Sequence, residues 1–157
     1  MTGLGECLAI QDILLDVEVH TRTELFEQVA RLWEGRPGLD GDAVVTGLAA
    51  REAQGSTALG LGVAIPHTRI TGLDRPVAAL ARTREPSDFD APDALPANLF
   101  FLLVVPRQGA AEHLSILAEV AERFSSEAFR TRLVRLASRE AVWELFINSG
   151  SPLAKRR

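Results

Sequence analysis

The chain has 157 residues, 46% hydrophobic and 24% charged, which suits one soluble domain with its own core and excludes a disordered chain. A formal net charge of -4 and a pI near 5.4 argue against a nucleic-acid binder, which carries a basic excess. The single cysteine, Cys7, excludes an internal disulfide and a thiolate metal cluster and fits a reducing compartment.

The amino terminus lacks the basic flank of a secretory signal, and Glu6 and Asp12 interrupt its apolar stretch. Residues 13–19 (ILLDVEV) partly alternate and are rich in β-formers, so a strand is expected. Thr21 or Thr23 caps the next segment, with Glu24 at capping-box spacing from Thr21 and Leu25, Val29 and Leu32 at helical spacing. That helix stops near Gly35, ahead of Pro37. Asp40 or Asp42 opens a second helix with Val44, Val45 and Leu48 on one face and Gly55 as its C-terminal cap. Residues 55–66 are glycine-rich, and 63–65 read as a short strand running up to Pro66 and His67. Another short strand is expected at 77–81, and 84–97, with three prolines and three aspartates, reads as a loop. Residues 99–105 are the strongest strand, and as the longest apolar run they fall far short of the roughly 20 residues a membrane helix needs. No membrane insertion and a cytoplasmic location are therefore expected. Amphipathic helices follow at 110–124, 129–136 and 139–147, and the domain is taken as 1–150 with a frayed basic tail over 151–157. Strands and helices intermingle without strict alternation, which predicts an α/β domain with helices on both faces of a single mixed sheet.

Three histidines are present, and His67 has the most suggestive surroundings. It follows an apolar strand and a proline, a rigid mount, and the preceding glycines let backbone N–H groups approach an anion. Ser56 and Thr57 add hydroxyls. The pattern suits an exposed, neutral imidazole beside an oxyanion site, and equally an isolated surface histidine. No Gly-Lys-Ser/Thr follows the glycines, so this is not a P-loop. His113 extends the apolar stripe of Ile116, Leu117, Val120 and Phe124 in the first turn of its helix, either facing a cleft or as a satisfied core-edge histidine. Arg51, three residues after Leu48, falls on the buried side of the second helix, either clamping a phosphoryl oxygen or capping helix carbonyls. His20 reads as exposed and uninvolved, Cys7 as a buried or incidental thiol, and Asp88, Asp90 and Asp93 as a solvated loop.

The stretch from Arg51-Glu52 through Gly55-Ser56-Thr57-Ala58-Leu59-Gly60-Leu61-Gly62-Val63-Ala64-Ile65-Pro66-His67 resembles the signature of phosphotransferase-system enzyme IIA domains of the fructose/mannitol/nitrogen type. Asp88 to Asp93, and Phe100 to Pro106 followed by Glu112-His113-Leu114, resemble the nitrogen-regulatory branch. The resemblance spans about residues 10–148. It implies a mixed, largely parallel sheet flanked by helices. It also implies that His67 is the phosphorylated residue, at Nε2, that His113 is a second site histidine, and that Arg51 lies near the phosphoryl group. Ser56, Thr57, Gly60 and Gly62 are implied as phosphoryl-binding. Ala58 and Thr68 depart from the glycines many relatives carry at those positions.

The implied chemistry is a phosphohistidine carrier without cofactor or metal, charged by a histidine phosphocarrier protein. It would pass the group to, or regulate, protein targets or a IIB component. Phosphoryl transfer between imidazoles needs in-line positioning and charge stabilisation, which Arg51 and backbone N–H groups can supply. A nitrogen- or potassium-linked regulatory role is expected. The alternatives are a fructose/mannitol-type transport component or a binding module acting mainly unphosphorylated. A zinc site from His67, His113 and Glu112 would want clearer ligands.

Overall fold

The structure, a computed structural model, describes residues 3–109, 113 and 115–149. Its centre is the apolar run, which forms strand β6 (Ala97–Pro106). Such a strand must be covered on both faces. Leu99, Phe101, Leu103 and Val105 enter one core, and Phe100, Leu102 and Val104 enter another, as period-two alternation requires.

The other strands are β1 (Leu8–Val17), β2 (Ala58–Gly60), β3 (Val63–Ala64), β4 (His67–Ile70) and β5 (Val77–Ser87). They form a mixed sheet in the order β1-β5-β6-β3-β2, with β4 also paired to β6. The β1/β5, β3/β6 and β4/β6 ladders are parallel, and β5/β6 and β2/β3 are antiparallel. The described helices are α1 (Leu4–Cys7), α2 (Arg22–Leu32), α3 (Gly41–Gln54), α4 (Ser115–Phe124), α5 (Glu127–Arg135) and α6 (Arg139–Asn148). Side chains of α2 and α3 fill one core, and those of α4, α5 and α6 fill the other, where Phe146 stacks on Phe101 at 5.6 Å. The expected α/β architecture, helices on both faces of one mixed sheet, is the one observed.

Boundaries differ in instructive places. Strand β1 begins at Leu8 rather than 13 and ends at Val17, with a register shift between Leu8 and Ile13. Strand β5 continues past 81 into the expected loop and carries Pro86, which is tolerated because the ladder shifts between Arg82 and Ser87. The rest of that loop is anchored, with Phe89 buried against Phe26 and Phe100. His67 opens a strand of its own rather than only following one. Strands β3 and β4 are two pieces of one path along β6, broken at Ile65-Pro66, where Ile65 N donates to Thr57 O and Pro66 O accepts from Leu103 N. Proline has no N–H for a ladder, which hid this continuation. The helix expected over 110–124 is described from Ser115, with His113 also helical; residues 110–112 and 114, and the tail expected over 151–157, lie outside the described residues.

Candidate functional site

Helix α3 starts at Asp40, whose carboxylate accepts from Asp42 N at 3.2 Å. Val44, Leu48 and Glu52, four residues apart, form its buried stripe. Burying a carboxylate is costly unless it is hydrogen-bonded. Thr57 meets that need twice: its N–H donates to Glu52 Oε2 at 2.9 Å and its hydroxyl to Oε1 at 2.6 Å. The chain leaving α3 is thereby tied to the helix's last turn. Ser56 adds a second tie, donating its hydroxyl to Phe89 O and accepting from Ala58 N at 3.0 Å.

The turn between β2 and β3 is closed by Asp93, which accepts from Leu61 N at 2.8 Å and from Leu95 N at 3.1 Å. These two N–H groups hold its carboxyl below the usual carboxylate range. Gly60 has φ 85°, and a Cβ there would lie 3.0 Å from the Asp93 carboxylate, so the position wants glycine on both counts. This scaffold delivers the chain through Pro66 to His67 at the start of β4.

His67 is half-buried, and its Nδ1 lies 2.8 Å from Ile65 O. A carbonyl oxygen can only accept, so Nδ1 carries the hydrogen and Nε2 is the free nitrogen of the neutral ring. Burial pushes the His67 pKa below its ordinary value; the Arg51 and Arg69 charges push the same way, while the Ile65 carbonyl and Glu52 oppose them. The net effect favours a neutral, nucleophilic imidazole near pH 7.

His67 opens onto a cleft of about 700 Å³ between α3 and the β4/β6 edge. Its lining includes Arg51, Gln54, Arg69 and Arg107 and, among the described residues, no Asp or Glu. Arg51 donates Nη1 to Gly55 O at 2.8 Å, so it caps the end of α3 and lines the cleft at once. Thr68, one of the two departures from the family pattern, packs on α3 where Gly47 leaves room: a Cβ at Gly47 would lie 2.9 Å from Thr68 Cγ2.

The fold thus brings His67 and Arg51 into one cleft. Ser56, Thr57, Gly60 and Gly62 are not among the residues lining it. The hydroxyls of Ser56 and Thr57 are spent on Phe89 and Glu52, and Gly62 O accepts from the N–H groups of Asn98 and Leu99. His113 is half-buried and its Nδ1 has no hydrogen-bond partner among the described residues. It precedes α4, which packs on the core that Leu103 enters, and His67 pairs with Leu103, so both histidines lie on one side of the sheet. His113 does not line the cleft. His20 is exposed, and Cys7 is buried with its thiol pushed up to about 12, chiefly by that burial. Asp90 pairs with Arg22 at 2.6 Å, and Asp88 accepts from Asp90 N. Among the described residues no group of three His, Cys, Asp or Glu could hold a metal ion, and no helix is long and apolar enough to cross a membrane.

Sequence reasoning missed Arg69, Arg107 and Glu52. Extending the strand through Pro66 would have placed Arg69 two residues along the face of His67. Glu52 continues the Val44–Leu48 stripe and was legible as a buried carboxylate. Arg107 depends on the β4/β6 pairing, which no local pattern encodes.

The family model described as phosphoenolpyruvate-dependent sugar phosphotransferase system, EIIA 2, matches residues 6–149. A nitrogen regulatory protein of Pseudomonas aeruginosa is 35% identical over 149 residues, covering 94% of this chain and 97% of that one. A PTS system fructose-specific EIIA component of Haloferax volcanii is 36% identical over 106 residues, covering 68% of this chain and 69% of that one. The crystal structure of nitrogen regulatory protein IIA-Ntr from Neisseria meningitidis superimposes with a TM-score of 0.87 at 43% identity, covering 91% of this chain and 98% of that one.

Proposed function

This chain belongs to the EIIA 2 family of the phosphoenolpyruvate-dependent sugar phosphotransferase system, and from that premise we propose that it is a cytoplasmic phosphohistidine carrier charged on Nε2 of His67. The observation that carries the reading is the Nδ1 to Ile65 O bond, which leaves Nε2 as the free nitrogen in a cleft lined by Arg51 and, among the described residues, by no carboxylate. The Nε2 lone pair attacks the phosphorus of a phosphohistidine on a carrier protein. The new N–P bond forms as the donor's N–P bond breaks, and the donor nitrogen keeps the electron pair. The His67 ring gains positive charge, which Ile65 O stabilises through Nδ1–H. Arg51 balances the equatorial oxygens of the loose transition state. His113 supplies a second imidazole on the same side of the sheet, orienting His67 or the transferred group. Ser56, Thr57, Gly60 and Gly62 act as supports: they fix the path from α3 to β4 rather than touch the phosphoryl group.

The donor is a histidine phosphocarrier protein, and the output is regulatory, directed at protein targets in nitrogen- or potassium-linked control. The similarity to nitrogen regulatory proteins over nearly the full chain supports this assignment. A transport role with a IIB component as acceptor is the second reading, favoured by the likeness to a fructose-specific EIIA component. Intact-mass analysis after incubation with phosphoenolpyruvate, enzyme I and a histidine phosphocarrier tests the carrier reading. Wild type gains one acid-labile phosphoryl group, His67→Ala gains none, and His113→Ala retains partial transfer. Labelling of His67→Ala would overturn the assignment.

A further inference from the structure

Glu52 carries a charge that the fold does not need. Its carboxylate is 5% exposed, accepts two hydrogen bonds from Thr57 and forms no ion pair among the described residues. Taking a carboxylate out of water is costly, and neutral donors offset only part of that cost. Glutamine would keep both contacts without the charge. Its carbonyl oxygen would accept from Thr57 N–H, and its amide would donate to the Thr57 hydroxyl oxygen. Folding alone therefore favours glutamine at position 52.

A path of hydrogen bonds leads from Glu52 to the reacting ring. Thr57, held by Glu52 through its N–H, accepts at its carbonyl from Ile65 N at 3.1 Å. Ile65 O in turn accepts from His67 Nδ1 at 2.8 Å. The path arrives at Nδ1, and Glu52 is absent from the cleft lining, whereas Arg51 and Arg69 belong to it. The ring thus stands between an anion behind Nδ1 and cations around the cleft that holds Nε2. Both fields reach it: Glu52 favours positive charge on the ring, and Arg51 and Arg69 oppose it. Arg107 lines the same cleft, and His113 lies on the same side of the sheet.

Phosphorylation at Nε2 separates charge in the same sense. With Nδ1–H kept and Nε2 bonded to phosphorus, the ring is cationic and the phosphoryl oxygens are anionic. A fixed anion on the Nδ1 side and fixed cations on the oxygen side both stabilise that product, while the resting neutral ring gains little from either.

We propose that Glu52 is a positioning residue for the transfer: its buried charge, set behind Nδ1, stabilises the positive ring that phosphorylation creates and so sets how firmly His67 holds the group. This rests on the phosphohistidine-carrier reading above.

Two readouts on the full chain test it. One is the equilibrium constant for phosphoryl exchange with a phosphorylated histidine phosphocarrier, read by intact mass. The other is the NMR titration midpoint of the unphosphorylated His67 ring. Glu52→Gln keeps both Thr57 contacts and folds. Its exchange constant falls about tenfold against the phosphorylated form. Its His67 midpoint drops below that of wild type, because the anion opposing Arg51 and Arg69 is gone. Glu52→Asp keeps the charge on a side chain too short for both Thr57 contacts, so it loses stability while both readouts stay near wild type. A Glu52→Gln protein with the wild-type exchange constant and midpoint overturns the inference and leaves the carrier reading standing. An exchange constant that falls in both variants in step with their stability also overturns it, because Glu52 would then act only as a strut. A wild type that takes no phosphoryl group at His67 sinks the carrier reading and this inference with it.

Discussion

At the scale of single residues, the environment of His67 leaves Nε2 as the free nitrogen and favours the neutral ring. Its pKa is depressed below the ordinary 6.5, first by burial and then by nearby arginines. The sign of the consequence follows from proton linkage: as pH falls, the unfolded chain takes up this proton before the folded one does. His67 therefore costs the native state nothing above about pH 6.5 and destabilises it as pH falls through the lower folded value. An NMR titration of the ring should give a midpoint below 6.5. Urea unfolding at pH 7.5 and 5.5 should show a smaller acid-induced loss in His67→Gln than in wild type. Glu52 is the second decisive residue, 5% exposed, with each carboxylate oxygen accepting from Thr57. Thr57→Val keeps the volume but removes the donor to Oε1, at an expected cost of about 1–3 kcal/mol in chemical denaturation. Thr57→Ser should recover most of it.

At the scale of elements, the spacing of His67 and Arg51 is set by how β4 lies on α3. The contact is close at Gly47, where a Cβ would stand 2.9 Å from Thr68 Cγ2 and 3.0 Å from its hydroxyl oxygen. Two effects oppose each other in Gly47→Ala. Helix propensity favours alanine by about 1 kcal/mol. Overpacking against a β-branched side chain, itself fixed in a strand beside the site, costs about 1–3 kcal/mol. With Thr68 present the clash wins, and Gly47→Ala should lower stability and slow transfer to His67. In a Thr68→Gly background the clash is gone, and the same change should raise stability. A double-mutant cycle read by urea denaturation and by phosphoryl transfer checks this reversal of sign, and equal effects in both backgrounds would refute it. Thr68 stands where many relatives have glycine, so it alters the mount of the site and not its reacting groups.

At the scale of the molecule, two cores back a sheet whose open edge carries the His67 cleft, and the far edge is tied down separately. Arg82 of β5, 8% exposed, donates to Asp16 of β1 and to the carbonyls of Leu133 and Leu136 at the end of α5. This one guanidinium joins two strands to a helix terminus, away from the lining of the His67 cleft. Arg82→Met should cost about 2–3 kcal/mol, since it strands buried carbonyls and one exposed carboxylate. Phosphoryl transfer per folded molecule should be unchanged at 25 °C, because the site and its lining residues lie outside the affected contacts. Differential scanning calorimetry alongside transfer kinetics distinguishes that outcome from a coupled loss.

By itself the sequence determined the layers and singled out His67 as the candidate residue. Apolar alternation in the 99–105 run demanded cover on both faces, the Thr21–Glu24 and Asp40 caps set where the first long helices begin, and the Arg51-to-His67 signature marked the site. These are local signals, carried by spacing along the chain. What only the tertiary structure decided were relations between segments distant in sequence. The pairing of β4 with β6 brings Arg107 to the cleft that His67 lines, and the fit of Thr68 against Gly47 docks β4 on α3. The bonding of Ser56 and Thr57 to Phe89 and Glu52 ties the chain leaving α3 to segments on either side of it. A hydroxyl beside a glycine run looks free in sequence because its competing acceptors are folded onto it from elsewhere. Hydrogen bonds and register are settled by which groups meet, and packing alone determines that.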